Sequence, residues 1–286
     1  MNAKTLLATL IMASFVTGIV VTQTTQPILR LNTSMHNANI KRISADGQGN
    51  YILTCSNDKT AKLWDAGSGA LIRTFRPPIG AGNEGMLYAC ALSPDGNIAA
   101  VGGWTVSERD KSVYLFSTST IELIQRITGL ESSINDLEFS LDGLYLAAAL
   151  GGKNGIRIYE WSNALTKFQL LKKLETYGDA SYNLCFDHSG RLATVCSDGY
   201  LLLYDKNFNK LKEIQTLGGR QPCSLAFSPD SNKISVGYYD SPAVEVYDGN
   251  SLKLLYKPDI SGTEKWKSLT VNSTGIKYTR QNSMRR

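Results

Sequence analysis

Polar and apolar residues alternate in short stretches closed off by turn-forming residues, the pattern of half-buried strands. The clearest case surrounds Gly143. Residues 134–139 (Ile-Asn-Asp-Leu-Glu-Phe) alternate into the turn, and residues 144–150 predict a second, mostly buried strand. Residues 155–159 alternate again. Residues 170–174, with Lys172 and Lys173 in solvent, predict a fourth strand at the outer edge. A period of two sends successive side chains to opposite faces of a sheet. A four-stranded unit of this kind cannot bury its two apolar faces alone, so units must stack.

The unit recurs. A tight turn is written as Asp46-Gly47, Ser93-Pro94-Asp95-Gly96, Ser140-Leu141-Asp142-Gly143, Asp187-His188-Ser189-Gly190 and Ser228-Pro229-Asp230-Ser231, with a worn copy at Ser273-Thr274-Gly275. Positions 47, 96, 143, 190, 231 and 275 are separated by 49, 47, 47, 41 and 44 residues. An aromatic closes one strand per unit at Trp64, Phe116, Tyr159, Tyr204 and Tyr247, at intervals of 52, 43, 45 and 43. Two landmarks sharing a period in the forties predict an all-β propeller of four-stranded blades. The turn carboxylates read as turn formers: Asp bonds its own backbone and Gly accepts a positive φ. One per blade does not make a calcium shell.

These residues resemble the WD-repeat family. Met35-His36 stands where that family has Gly-His, followed by Asp46-Gly47, Thr54, Asp58 and Trp64-Asp65. The resemblance implies a hydrogen-bonded structural tetrad of His36, Thr54, Asp58 and Trp64. The fourth blade keeps Thr194 and Asp198, with Tyr204 in place of Trp and no His. The stretches 26–30, 76–80 and 151–155 resemble exported bacterial WD-repeat proteins, some of which carry a caspase-like peptidase domain. Nothing in this chain matches that domain.

The 25 Gly, 14 Tyr and 8 Phe agree with strands and turns. A net charge of +5, with no more than two basic residues adjacent, gives no case for nucleic acid as the main partner. Five cysteines, none spaced C-x-x-C, and two histidines leave little for zinc or acid–base schemes. His188 and Cys223 echo a Cys-His pair only faintly, since the repeat places one in a turn and the other in an inner strand. Cys185 and Cys196 flank one hairpin about 10 Å apart, beyond the reach of a bridge. No cofactor and no metal site are expected.

Two stretches, 77–86 and 102–111, exceed the normal repeat spacing. By strand count both emerge on one face of the disc, together with 151–155 and 238–242. Asn83, Glu84, Trp104, Arg109, Lys153 and Tyr239 on those loops are the candidate partner contacts. Trp104 stands out as a large apolar ring in a loop, with no strand to pack in.

Lys4 precedes seventeen uncharged residues, 5–21, so residues 1–26 read as a signal peptide or an N-terminal anchor. Thr9, Ser14, Thr17 and Gly18 dilute that stretch and favour a cleavable signal, hence export to the periplasm or the extracellular space. Residues 27–35 predict an outer strand that completes the last blade, residues 36–264 five blades, and residues 265–286 a partial sixth blade and tail. The ring is then incomplete or truncated, and its open blade edges invite homo-oligomerisation. The expected function is non-enzymatic: an exported scaffold that binds a protein or peptide on the loop-rich face and needs no membrane beyond that anchor. Two alternatives are a propeller-type hydrolase or lactonase, which needs convergent metal ligands, and a truncated regulatory or sensor module of a longer peptidase-bearing protein.

Overall fold

The structure, a computed structural model, describes residues 34–105, 110–175 and 177–261. These residues hold twenty strands in five antiparallel four-stranded sheets, each a simple meander. The first blade is β1 (Ile40–Ala45), β2 (Tyr51–Ser56), β3 (Ala61–Asp65) and β4 (Leu71–Phe75). The second is β5 (Met86–Leu92), β6 (Ile98–Trp104), β7 (Lys111–Ser117) and β8 (Leu123–Leu130). The third is β9 (Ile134–Phe139), β10 (Tyr145–Leu150), β11 (Ile156–Ser162) and β12 (Lys167–Leu174), with a 3-10 turn at Gly152–Asn154. The fourth is β13 (Ser181–Phe186), β14 (Leu192–Cys196), β15 (Tyr200–Tyr204) and β16 (Lys210–Gln215). The fifth is β17 (Pro222–Phe227), β18 (Lys233–Tyr238), β19 (Val244–Asp248) and β20 (Leu254–Tyr256). The strand expected at residues 27–35 and the partial sixth blade lie outside the described residues, apart from Ser34 and Met35.

The apolar core lies between blades. One cluster joins Leu53, Leu63 and Phe75 of the first blade to Leu87, Val101 and Tyr114 of the second. Three further clusters join the second to the third, the third to the fourth and the fourth to the fifth. Each fully buried Leu or Phe contributes roughly 1.5–3 kcal/mol, and only a neighbouring blade can supply that burial. The first strands of successive blades pack side by side around the axis. The fourth strands form the rim, where Leu123, Leu170, Leu211 and Leu255 are exposed.

The recurrent turns close by local chemistry. Ser93 Oγ donates to Asp95 Oδ1 at 2.6 Å, and Asn97 N–H donates to the same oxygen at 3.0 Å. Ser140 with Asp142, and Ser228 with Asp230, repeat this geometry. The fourth position of each turn has a positive φ at Gly96, Gly143, Gly190 and Ser231. The first turn departs from the expectation: its left-handed residue is Gly49, not Gly47. Gly47 is needed for close approach instead, because a Cβ there would meet the Pro94 carbonyl oxygen at 2.9 Å.

The second insertion is shorter than the spacing implied, whereas the first keeps its ten residues, between Phe75 and Met86. Met86 opens β5 and Lys111 opens β7, and Gly102, Gly103 and Trp104 finish β6. Trp104 is therefore a strand residue, paired with Met86, and not a loop ring lacking a strand.

Candidate functional site

Every first strand carries a bulge near its start. The register slips at Lys41, Tyr88, Asn135, Tyr182 and Cys223, one residue per blade at one level. An extra residue bends the strand and leaves its side chain out of the ladder. All five stand at the channel mouth, on the face where the loops into β5, β9, β13 and β17 arrive. Tyr182 is 43% exposed, and the Lys41 ammonium lies 6.0 Å from the centre of the Tyr88 ring.

Below the mouth the channel is crossed by Arg42. Its Nε lies 3.0 Å from Asp136 Oδ1, and its Nη2 donates to the carbonyl oxygens of Asn135 (3.0 Å) and Tyr182 (2.9 Å). Asp136 also accepts from the Asn183 side-chain amide and from Leu184 N–H. Asn183 Oδ1 in turn accepts from Leu225 N–H at 2.7 Å. One polar belt thus ties the first, third, fourth and fifth blades. Burial raises the Asp136 pKa against the pull of Arg42. Burial, then the adjacent Asp136, pushes Glu138 up to about 8. Burial likewise pushes the channel thiols up, Cys223 to about 11 and Cys185 to about 12, so neither is a ready nucleophile.

The residues singled out from sequence are spread over this face. Asn83 and Glu84 lie in the loop between β4 and β5, where Lys59 Nζ holds the Gly80 carbonyl at 2.8 Å. That loop is joined to Trp104 by Gly85 N–H on its carbonyl at 2.7 Å. The Trp104 ring is 39% exposed, with the Lys111 ammonium 4.1 Å from its centre. Lys153 is exposed in the 3-10 turn of the third blade. Tyr239 is 61% exposed after β18 on the fifth. Arg109 lies outside the described residues. A groove of about 500 Å³ opens on the same face between Asp198 and the loop ending at Arg220.

The structure brings His36, Thr54, Asp58 and Trp64 together. Trp64 Nε1–H donates to Thr54 Oγ1 at 2.8 Å, and Thr54 Oγ1 lies 2.8 Å from His36 Nε2. His36 Nδ1 lies 2.8 Å from Asp58 Oδ2. With the proton on Nδ1, every donor finds an acceptor: the indole gives to the hydroxyl, the hydroxyl to the imidazole, and the imidazole to the carboxylate. Burial raises the Asp58 pKa, but the Thr60 hydroxyl, Asn37 N–H and His36 outweigh it and hold the carboxyl below its ordinary value.

The fourth blade builds the same bridge from hydroxyls. Tyr177 OH lies 2.9 Å from Thr194 Oγ1 and 3.0 Å from Tyr204 OH. Tyr177 precedes β13 by four residues, as His36 precedes β1, and that spacing is the signal by which it could have been found. In the fifth blade a buried carboxylate, Glu245, accepts from the hydroxyls of Tyr238 and Tyr247 and from Leu217 N–H, and pairs with Lys257 at 2.9 Å.

His188 lies in the turn after β13 and Cys223 at the opening of β17, so they stand at opposite ends of the channel and form no catalytic pair. Among the described residues no three His, Cys, Asp or Glu side chains converge on a metal-sized site. Cys196 pairs opposite Ser181 and Cys185 opposite Ala193, and both thiols are free.

Five stacked four-stranded meanders define a β-propeller fold, and its first blade carries the His36–Trp64 network that the WD-repeat resemblance implied. Residues 27–65 match the family model described as WD domain, G-beta repeat. The chain is also similar to pre-mRNA-processing factor 19 of Dictyostelium discoideum, 24% identical over 201 residues. That similarity covers 69% of this chain and 37% of the relative, so the chain spans well under half of that protein's length.

Proposed function

We propose that this chain is a non-enzymatic scaffold that binds a protein or peptide on the loop-rich face, and that it does so after export from the cytoplasm. One observation carries the binding reading: Trp104, Tyr182 and Tyr239 are exposed aromatics on one face, around a mouth closed from below by Arg42. Large rings that keep a polar handle and lose little entropy on burial are the side chains that dominate protein interfaces. The WD-repeat match supports an interaction role of this kind.

A displayed peptide library selected on the folded chain tests the reading. Enriched peptides should bind the wild type and lose at least tenfold in affinity to the triple variant Trp104→Ala, Tyr182→Ala, Tyr239→Ala at unchanged melting temperature. Equal binding to the variant would place the interaction elsewhere. Export has its own test: a reporter fused after Arg30 should be translocated, and cytoplasmic retention would refute it.

A further inference from the structure

We propose that Cys55 and Cys90 are a latent crosslink: in the presence of a small-molecule disulfide they join to each other and lock the first blade to the second. Both thiols are free and buried, and both belong to the core shared by these two blades. Cys55 stands opposite Arg42 in the β1–β2 ladder. The Cys90 sulfur lies 3.6 Å from the Arg42 carbonyl oxygen and 3.6 Å from that of Leu53. It therefore rests on the β1–β2 pair at the rungs that carry Cys55. Blades converge toward the axis, and Cα atoms of β2 and β5 approach within 8 Å. Facing sheets elsewhere stand about 10 Å apart, and a disulfide needs Cα atoms within about 7 Å. Cys196 belongs to the core between the third and fourth blades and Cys185 borders the one between the fourth and fifth, so Cys55 and Cys90 are the two cysteines buried together in one core.

The chemistry is thiol–disulfide exchange with oxidised glutathione as the oxidant. One cysteine thiolate attacks a glutathione sulfur, the oxidant's S–S bond breaks, and one glutathione leaves and takes up a proton. The second cysteine attacks the protein sulfur of the mixed disulfide, forms the Cys55–Cys90 bond and releases the second glutathione. Two protein thiols lose two electrons and two protons, and the oxidant gains both. Burial, then the neighbouring Cys55, holds the Cys90 thiol well above the ordinary thiol value; Asp136 adds to the rise and Arg42 opposes it. The reaction is therefore slow in the closed core at neutral pH. It proceeds fastest before the first blade has closed on the second.

The full chain is refolded from urea at pH 8.5, once with oxidised glutathione and once with a thiol reductant, and both products are peptide-mapped. The expected result is a Cys55–Cys90 linked peptide, lighter by two hydrogens, in the oxidised sample alone. Closing a loop of this length should raise the melting temperature by about 5–10 °C, reversed by reduction. Cys90→Ala should abolish both effects. Folded protein whose Cys55 and Cys90 stay free, carry glutathione or pair with other cysteines would overturn the proposal. If refolding returns no folded material, prolonged incubation of the native chain in the same buffers supplies the map, which is decisive without a variant.

Discussion

Arg42 Nε lies 3.0 Å from Asp136 Oδ1, an ion pair that crosses the channel from the first blade to the third. The carboxylate is almost fully buried, whereas the guanidinium keeps about a quarter of its surface in solvent. Arg42 is thus the group through which the innermost charge of the channel stays paired.

Removing that partner leaves a buried carboxylate uncompensated. Arg42→Met should destabilise the chain by about 3 kcal/mol, the low end for breaking a buried pair, because the arginine is partly solvated. Asp136→Asn in the same background should recover part of the loss. Urea denaturation of the wild type and the two variants measures both effects. An Arg42→Met stability equal to wild type would show the pair to be incidental.

Two carboxylates, the half-buried Glu138 and the buried Glu245, should pull stability in opposite directions with pH. Glu138 titrates near 8 in the folded chain against 4.5 ordinarily, chiefly through burial and then Asp136, with Arg42 opposing. Between those values the unfolded chain releases the proton and the folded chain keeps it. Stability should therefore fall as pH rises from about 4.5 to about 8, with a limiting slope of about 1.4 kcal/mol per pH unit. Glu245 is the converse. Burial acts against it, but the Tyr238 and Tyr247 hydroxyls and Lys257 prevail and lower its pKa. Its contribution is present above the ordinary carboxyl value and is lost as pH falls through the depressed one. Glu138→Gln should flatten the alkaline limb and Glu245→Gln the acid limb of stability against pH. Curves parallel to wild type would remove these groups as the cause.

We expect the four-residue network of the first blade to be structural. Trp64→Ala removes a large, half-buried ring and the indole donor to Thr54 Oγ1, and should cost about 3 kcal/mol, the low end for a large aromatic. Thermal unfolding together with peptide binding separates the readings. Unchanged melting with lost binding would make Trp64 a partner contact.

Features that depend on near neighbours could be read from the chain alone. Alternation and Ser-x-Asp turn chemistry act within a few residues, so the blades around Gly96, Gly143 and Gly190, and the strand aromatics from Trp64 to Tyr247, were legible without coordinates. The bulges at Lys41, Tyr88 and Tyr182 were not. In stretches such as Leu87-Tyr88-Ala89 an apolar run passes through the extra residue without a break, and only the partner strand reveals the slip. Gly102-Gly103 read as a loop, yet these residues extend β6. Gly102 has a packing reason: a Cβ there would press Ile134 at 3.0 Å. Arg42 and Asp136 are 94 positions apart in sequence, and Asn183 and Leu225 are 42 apart. No pattern of local spacing connects them. Tertiary structure decided those contacts, because the curvature of stacked blades brings their first strands around one axis, and buried polar groups there must find partners across it.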